Sequence, residues 1–323
     1  MWDLATIALF AAAIIRVSTP ILLAAVGGLL SESGGVPNIT LEGSMLMGAC
    51  SGALVAGFTG SPWLGLAAAV VAGVIPGLLL GVLYIDFKGD PIVIGIGINL
   101  LAAGLTTFVV FTLLGDKSGT SSLGRTELPD VVIPPLANVP IIGDVVLGQH
   151  VLSYAAILAW AVIAVILSRS RYGMHVLAVG ANIQAARSIG ISARRVQYSV
   201  VIVCGALCGV AGAFLSMGYV SSFLRDMTAG RGFIAVAAIF LGGMRPVGVL
   251  IASLAFGFFE VLSIRLGNLD VPSQLVQMIP FLATLVGLGL FAWRDTRRRS
   301  LTSTRKRGRR PHRDSGRQPQ LAR

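Results

Sequence analysis

Apolar runs long enough to cross a bilayer recur along this chain, separated by short polar breaks, and this pattern limits the possible folds more than any motif does. A hydrocarbon core of roughly 30 Å needs about 17–25 apolar residues in a helix. Such runs occupy 4–30, 41–60, 63–85, 92–114, 151–167, 196–219, 247–266 and 272–293. Backbone groups in lipid must be satisfied within the segment, and no alternating barrel pattern is present, so the runs are helices. Only 12% of the 323 residues are charged and 55% are hydrophobic, against about 25% charged in a soluble domain. The expected fold is an all-α polytopic membrane protein of about nine to ten transmembrane helices, one of them short.

The formal net charge of +11 is carried almost wholly by one end, because 294–323 alone holds a net +10. That segment, with Arg297, Arg298, Arg299, Arg305, Lys306, Arg307, Arg309 and Arg310, reads as a basic disordered cytoplasmic tail lying near anionic lipid. It lacks the aromatic and motif residues of a nucleic-acid binder. The membrane-spanning domain is therefore 1–293. Its first run has Asp3 and no basic n-region, so it reads as a membrane helix and not as a cleaved signal. Cys50, Cys204 and Cys208 lie in apolar runs and read as buried small hydrophobes, with no disulfide framework or metal site implied.

Loop charge orients the chain. The connection 169–195 has five arginines and no acid, whereas 115–150 has Lys117 and Arg125 against Asp116, Glu127, Asp130 and Asp144. The arginine-rich loop is expected in the cytoplasm and the acidic, proline-rich one outside. Within the basic loop, 180–191 reads as one short helix. Asn182 caps it, Gly190 stops it in the left-handed conformation, and Ser192 is placed to cap the next span. About two turns of helix are too short to be stable alone, so this one requires a docking partner.

Two further irregularities stand out. The apolar run 233–242 is about ten residues, roughly 15 Å as a helix and half a membrane. It is flanked by Thr228-Ala229-Gly230-Arg231-Gly232 and Gly242-Gly243-Met244-Arg245-Pro246, as broken helices that line a cavity are. The stretch 31–43, with Gly34, Gly35, Pro37 and Gly43, is its counterpart in the first half. Polar groups at membrane depth are candidates for the solute path: Arg16, Asn38, Glu42, Asn99, Arg231, Glu260 and Arg265. Each has a structural alternative: snorkelling for Arg16 and Arg265, an N-terminal cap for Glu42, and pairing with a helix neighbour for Glu260. Gly73, Gly77 and Gly81, with Gly48 and Gly52, repeat every four residues as helix-packing positions.

No His-Glu-x-x-His, serine-histidine pairing or Gly-x-x-x-x-Gly-Lys-Ser/Thr loop occurs, so neither hydrolytic chemistry nor ATP binding by that route belongs to this chain. Glu260 is the lone acid deep in a span, which argues against ion coupling.

Over most of its length the chain resembles the permeases of ABC importers in the branched-chain amino acid and simple sugar family, nucleoside type. The likeness runs through Thr19-Pro20-Ile21-Leu22-Leu23, Gly35-Val36-Pro37-Asn38-Ile39-Thr40-Leu41-Glu42-Gly43 and Val93-Ile94-Gly95-Ile96-Gly97-Ile98-Asn99. It continues in Ala178-Val179-Gly180-Ala181-Asn182, Ala185-Ala186-Arg187, Thr228-Ala229-Gly230-Arg231-Gly232-Phe233, Ile264-Arg265 and Pro272-Ser273-Gln274-Leu275. The family often has Gly-Glu-Asn-Pro where this chain has Gly180-Ala181-Asn182-Ile183.

The resemblance implies a bacterial plasma-membrane subunit without cofactor or metal. Its implied partners are an ATP-hydrolysing subunit, a second homologous permease, an extracytoplasmic binding protein and membrane lipid. It makes Gly180, Asn182, Ala185, Ala186, Arg187, Gly190 and Ile191 an ATPase-coupling helix, and Asn38, Glu42, Asn99 and Arg231 residues of a solute path. Nucleosides are the implied substrate, with ribose or another simple sugar as the alternative. The rivals are an ion-coupled secondary carrier and a scaffold without transport.

Overall fold

The computed structural model describes residues 4–266 apart from 117, 122, 124–127 and 129–148. The expected span 272–293 and the basic tail 294–323 lie outside the described residues, as does most of 115–150. Ten helices are described, and with them one isolated antiparallel bridge, Gly119 to Leu224. They are α1 Leu4–Ser33, α2 Leu41–Thr59, α3 Pro62–Gly81, α4 Pro91–Leu114, α5 Val151–Arg169, α6 Arg171–Ala181, α7 Ile183–Ser188, α8 Ala193–Ala213, α9 Arg231–Leu241 and α10 Pro246–Leu266. Single π-helical turns, Val82–Asp86 and Phe214–Tyr219, extend α3 and α8.

Among the described residues seven helices are long and apolar enough to cross a membrane, and α9 is a shorter apolar one. Helix signals account for the bounds. Asp90 accepts the N–H groups of Ile92 and Val93 and Pro91 takes the first turn of α4, while Gly115 ends that helix at φ 72°. Pro20 lies inside α1 and cannot donate to the carbonyl one turn back, a loss a membrane helix tolerates because neighbours supply other bonds.

Within their most apolar windows, α2 and α8 are 72% buried but α4 only 22%, so the first two form the centre and α4 the flank. The centre is a seam of glycines. A Cβ added at Gly48 would stand 2.6 Å from the Cα of Gly209, and one added at Gly73 would stand 2.5 Å from the carbonyl of Gly205. The four-residue spacing read from the sequence thus brings the backbones of α2, α3 and α8 together, where dispersion accumulates without any difference in hydrophobicity to drive it. Around the seam, Ile21, Leu23 and Leu29 of α1 are buried in one cluster with Val200, Cys204 and Cys208 of α8 and Ile239 of α9. Cys50 is buried as well.

The region 169–195 differs from the expectation of a single helix over 180–191. It contains two helices. Ser170 accepts the N–H of Gly173 and starts α6, whose Val176 and Val179 are fully buried while Met174 and Leu177 are exposed. Gly180 and Ala181 therefore end α6, and the short helix is only Ile183–Ser188. The apolar periodicity of Val176 and Val179 was hidden among the polar residues around it. Ser192 precedes α8 but its side chain makes no capping bond.

Candidate functional site

Helix α1 ends at Ser33 and α2 begins at Leu41; between them lies irregular backbone in which Val36, Asn38 and Thr40 are buried. Buried irregular backbone needs other partners for its polar groups, and side chains from neighbouring elements supply them. Ser31 donates to the carbonyl of Val36 at 2.8 Å, and Tyr84 donates to that of Gly35 at 3.2 Å. Asn99 of α4 donates to the carbonyl of Ile39 and accepts the N–H of Gly43, both at 2.9 Å. Asn38 accepts from the N–H and hydroxyl of Thr40 at 2.9 and 2.7 Å, and its amide N–H reaches Cys204 Sγ at 3.3 Å.

The second irregular segment, between α8 and α9, meets the first. Gly230 at φ 81° turns the chain into α9. The Glu42 carboxylate accepts the N–H of Gly230 at 2.9 Å through Oε1 and that of Gly232 at 2.6 Å through Oε2. Glu42 stands in the first turn of its own helix, yet the donors it satisfies are those of α9, a cap supplied from another element. A carboxylate there also balances the positive end of the helix dipole. Arg231 donates to the carbonyl of Met227 at 3.1 Å and pairs with Glu260 of α10. Glu260 is thus the partner of a cation between helices; its Oε2 is buried without a partner among the described residues.

The four path candidates thereby fall into two adjoining clusters: Asn38 and Asn99 around the first break, Glu42 and Arg231 at the start of α9. All four make bonds within the protein. Sequence reading missed Ser31 and Tyr84, because a lone hydroxyl beside a span carries no signal until the loop it serves is known. Arg16 and Arg265 come together instead at a separate crevice of about 270 Å³ with Tyr219.

At the end of the bundle where α1 stops, α6 and α7 form a shelf. A Cβ at Gly180 would strike the carbonyl of Ser33, so α6 lies directly against the end of α1. Asn182 caps α7 by accepting from the N–H groups of Gln184 and Ala185, both at 3.0 Å. Gly190 turns at φ 85°, and the N–H of Ile191 donates to the carbonyl of Ala186 at 3.1 Å. Ala186 is buried; Ala185 and Arg187 are exposed, as are Ile189, Met174 and Leu177. Just after the shelf, the start of α8 is tied to the π-turn that extends α3: the Arg194 guanidinium meets Asp86 at 2.8 Å, with Tyr198 donating to the same carboxylate at 2.7 Å. Among the described residues no group of three or more His, Cys, Asp or Glu side chains is arranged to hold a metal ion.

Spanning helices packed on a glycine seam, with a buried irregular segment at 34–40 that meets the start of α9 through Glu42, define a multi-pass membrane protein of the transporter class. A family profile described as "Branched-chain amino acid transport system / permease component" matches residues 10–286. The chain belongs to that permease family. It is similar to the nucleoside ABC transporter permease protein NupC of Lactococcus lactis subsp. cremoris (33% identity, covering 88% of this chain and 93% of the relative). It is also similar to the guanosine ABC transporter permease protein NupQ of Bacillus subtilis (34%, covering 86% and 90%). A third relative is the putative glucose ABC transporter permease protein TsgC13 of Haloferax volcanii (33%, covering 80% and 78%). No solved structure matches the chain.

Proposed function

We propose that this chain is the membrane-spanning subunit of an ATP-driven nucleoside importer and has no catalytic activity of its own. The observation that carries this reading is similarity across nearly the whole chain to permeases named for nucleosides and guanosine. ATP is hydrolysed by a separate subunit that docks on 180–191, through Ala185, Arg187 and the exposed Ile189 of the shelf. A second homologous permease and an extracytoplasmic binding protein complete the assembly. The shelf and the tail 294–323 face the cytoplasm, on the evidence of the arginine excess in 169–195.

Closure of the ATPase displaces the shelf. Because Gly180 lies against Ser33 and α1 leads directly into the irregular segment 34–40, displacement reaches the first break and, through Glu42, the start of α9. Two arrangements of these breaks biased from the shelf amount to alternating access. Asn38, Glu42, Asn99 and Arg231 act on the solute path by holding its two breaks in shape. Among the described residues Glu260 is paired with Arg231 and Glu42 caps α9, which disfavours an ion-coupled carrier.

A sugar importer is the second reading, favoured by the relative named for glucose. The test is reconstitution of the chain with its candidate ATPase, sister permease and binding protein, followed by uptake of labelled nucleosides and ribose. ATP-dependent nucleoside uptake is expected; uptake of ribose alone establishes the second reading, and uptake by the isolated chain on an ion gradient removes both.

A further inference from the structure

Between α2, α4 and the segment that leads into α9 lies a cavity of about 490 Å³, lined by Leu46, Gly104, Thr107, Phe108, Arg225 and Asp226 among others. That volume is in the range of about 300–1,000 Å³ usual for small-molecule sites. Its position is next to the candidate path, since α4 also carries Asn99 and the chain reaches Gly230 four residues after Asp226.

Three independent features make this more than a gap between helices. The segment bearing the charges is held in an unusual backbone conformation: Ser221, Asp226 and Ala229 have φ of 62°, 57° and 47°. Non-glycine residues rarely take such values, and they concentrate at functional sites where surrounding structure enforces them. Here the enforcement is visible. The N–H of Arg225 donates to the carbonyl of Ser118, the N–H of Thr120 donates to that of Phe223, and the Thr120 hydroxyl accepts the N–H of Phe223, each at 2.9 Å.

The second feature is that Arg225 and Asp226, neighbours in sequence and both exposed, form no ion pair and have no side-chain hydrogen-bond partner among the described residues, so their charged groups are open to the cavity. The third is Phe108, 63% exposed on the cavity wall. A carboxylate accepts N–H donors, a guanidinium donates to carbonyl and ring-nitrogen acceptors, and an aromatic ring receives a flat π-system. A nucleobase presents all three complements; a simple sugar has no π-face to offer.

We infer that this cavity is the chain's own nucleoside-binding site, with the base against Phe108 and its hydrogen-bonding edge on Arg225 and Asp226. The inference rests on the importer reading above and adds where this subunit holds its solute and what it recognises. Solute released by a binding protein meets the site before the breaks at 34–40 and Gly230, so the site selects among bases ahead of the gate.

The test uses the full reconstituted complex, with tritiated guanosine and uridine as probes and assembly checked by size exclusion and ATP turnover. Phe108→Ala is expected to lower maximal uptake of both about tenfold. Asp226→Asn is expected to shift the guanosine-to-uridine uptake ratio at least fivefold, because the two bases present different donors to the carboxylate. In a Thr107→Cys variant, whose native cysteines are buried, guanosine is expected to slow labelling by a membrane-impermeant maleimide at least threefold. Wild-type rates and ratio in both transport variants, or labelling indifferent to guanosine, overturn the site. Labelling of Thr107→Cys by lipid-soluble reagents alone makes the cavity a lipid contact and overturns it equally. A wild-type complex that imports neither nucleoside removes the nucleoside reading and this site's ligand together.

Discussion

Glu42 and Gly232 are 190 positions apart in the chain, and the carboxylate of the first accepts the backbone N–H of the second at 2.6 Å. This bond joins the two halves of the molecule at the depth where both are broken. Gly232 has no room for anything larger, since an added Cβ would strike the backbone N–H of Glu42. The start of α9 is thus built around one acidic side chain that belongs to a different helix.

Removing that side chain strands two donors in a site with little access to water. Glu42→Ala is expected to destabilise the protein by about 2–6 kcal/mol, at about 1–3 kcal/mol for each orphaned buried group. Glu42→Gln, which keeps one carbonyl acceptor, is expected to recover part of this. Thermal unfolding in detergent, followed by intrinsic fluorescence, orders the three proteins; equal midpoints for Ala and Gln would count against the capping role.

The Arg231–Glu260 pair predicts a non-additive series. Either single substitution, Arg231→Met or Glu260→Leu, leaves a largely desolvated charge unpaired and is expected to cost about 3–5 kcal/mol. The double variant is expected to be more stable than either single one, because the remaining charge is gone as well. Unfolding midpoints of all four proteins give the cycle, and strictly additive losses would mean the two groups do not interact.

Asn99 serves the break at 34–40 with both ends of its amide. Asn99→Leu removes the partners of the Ile39 carbonyl and the Gly43 N–H, and about 2–4 kcal/mol of stability should be lost. Asn99→Asp keeps the acceptor for Gly43 and is expected to fall between. Limited proteolysis or hydrogen exchange over 34–43 reads the effect locally; protection unchanged in Asn99→Leu would show that the break is held by other bonds.

The glycine seam separates packing positions from open ones. Gly209→Ala places a methyl group against the backbone of Ala69 and is expected to abolish accumulation of folded protein. Gly97→Ala, where nothing stands within 4 Å, is expected to leave the isolated chain as stable or up to about 1 kcal/mol more so, through the better helix propensity of alanine. Monodisperse yield after detergent extraction distinguishes the two.

On the shelf, Asn182→Ala removes the cap of a six-residue helix and is expected to cost about 1 kcal/mol locally. Arg187→Glu alters an exposed group and is expected to leave the fold intact while reducing ATP-dependent uptake severalfold. If Arg187→Glu assembles with the ATPase and transports at the wild-type rate, that residue has no part in coupling.

The spans were legible because lipid imposes a local rule: each helix satisfies its own backbone, so length and hydrophobicity suffice to find it. The expected 92–114 became Pro91–Leu114, and the half-length run 233–242 became Arg231–Leu241. Asn182 and Gly190 were readable for the same reason, since a cap and a stop act within a few residues. Helix α6 was not, because Val176 and Val179 declare themselves apolar-facing only once there is a surface beneath them.

What the amino-acid order determined by itself was therefore where the spanning helices lie, where the chain breaks, and that its glycines would draw helices close. Tertiary structure alone decided what each break rests on. Glu42 looked like a cap for its own helix and serves α9; Glu260, whose pairing with a helix neighbour was open in the sequence, finds that neighbour in Arg231. Arg225 and Asp226, unremarkable in sequence, share a cavity wall with Phe108. The reason is physical: a polar group buried in a membrane protein must find a partner, but which donor or acceptor it finds depends on distances between segments that sequence separation does not encode.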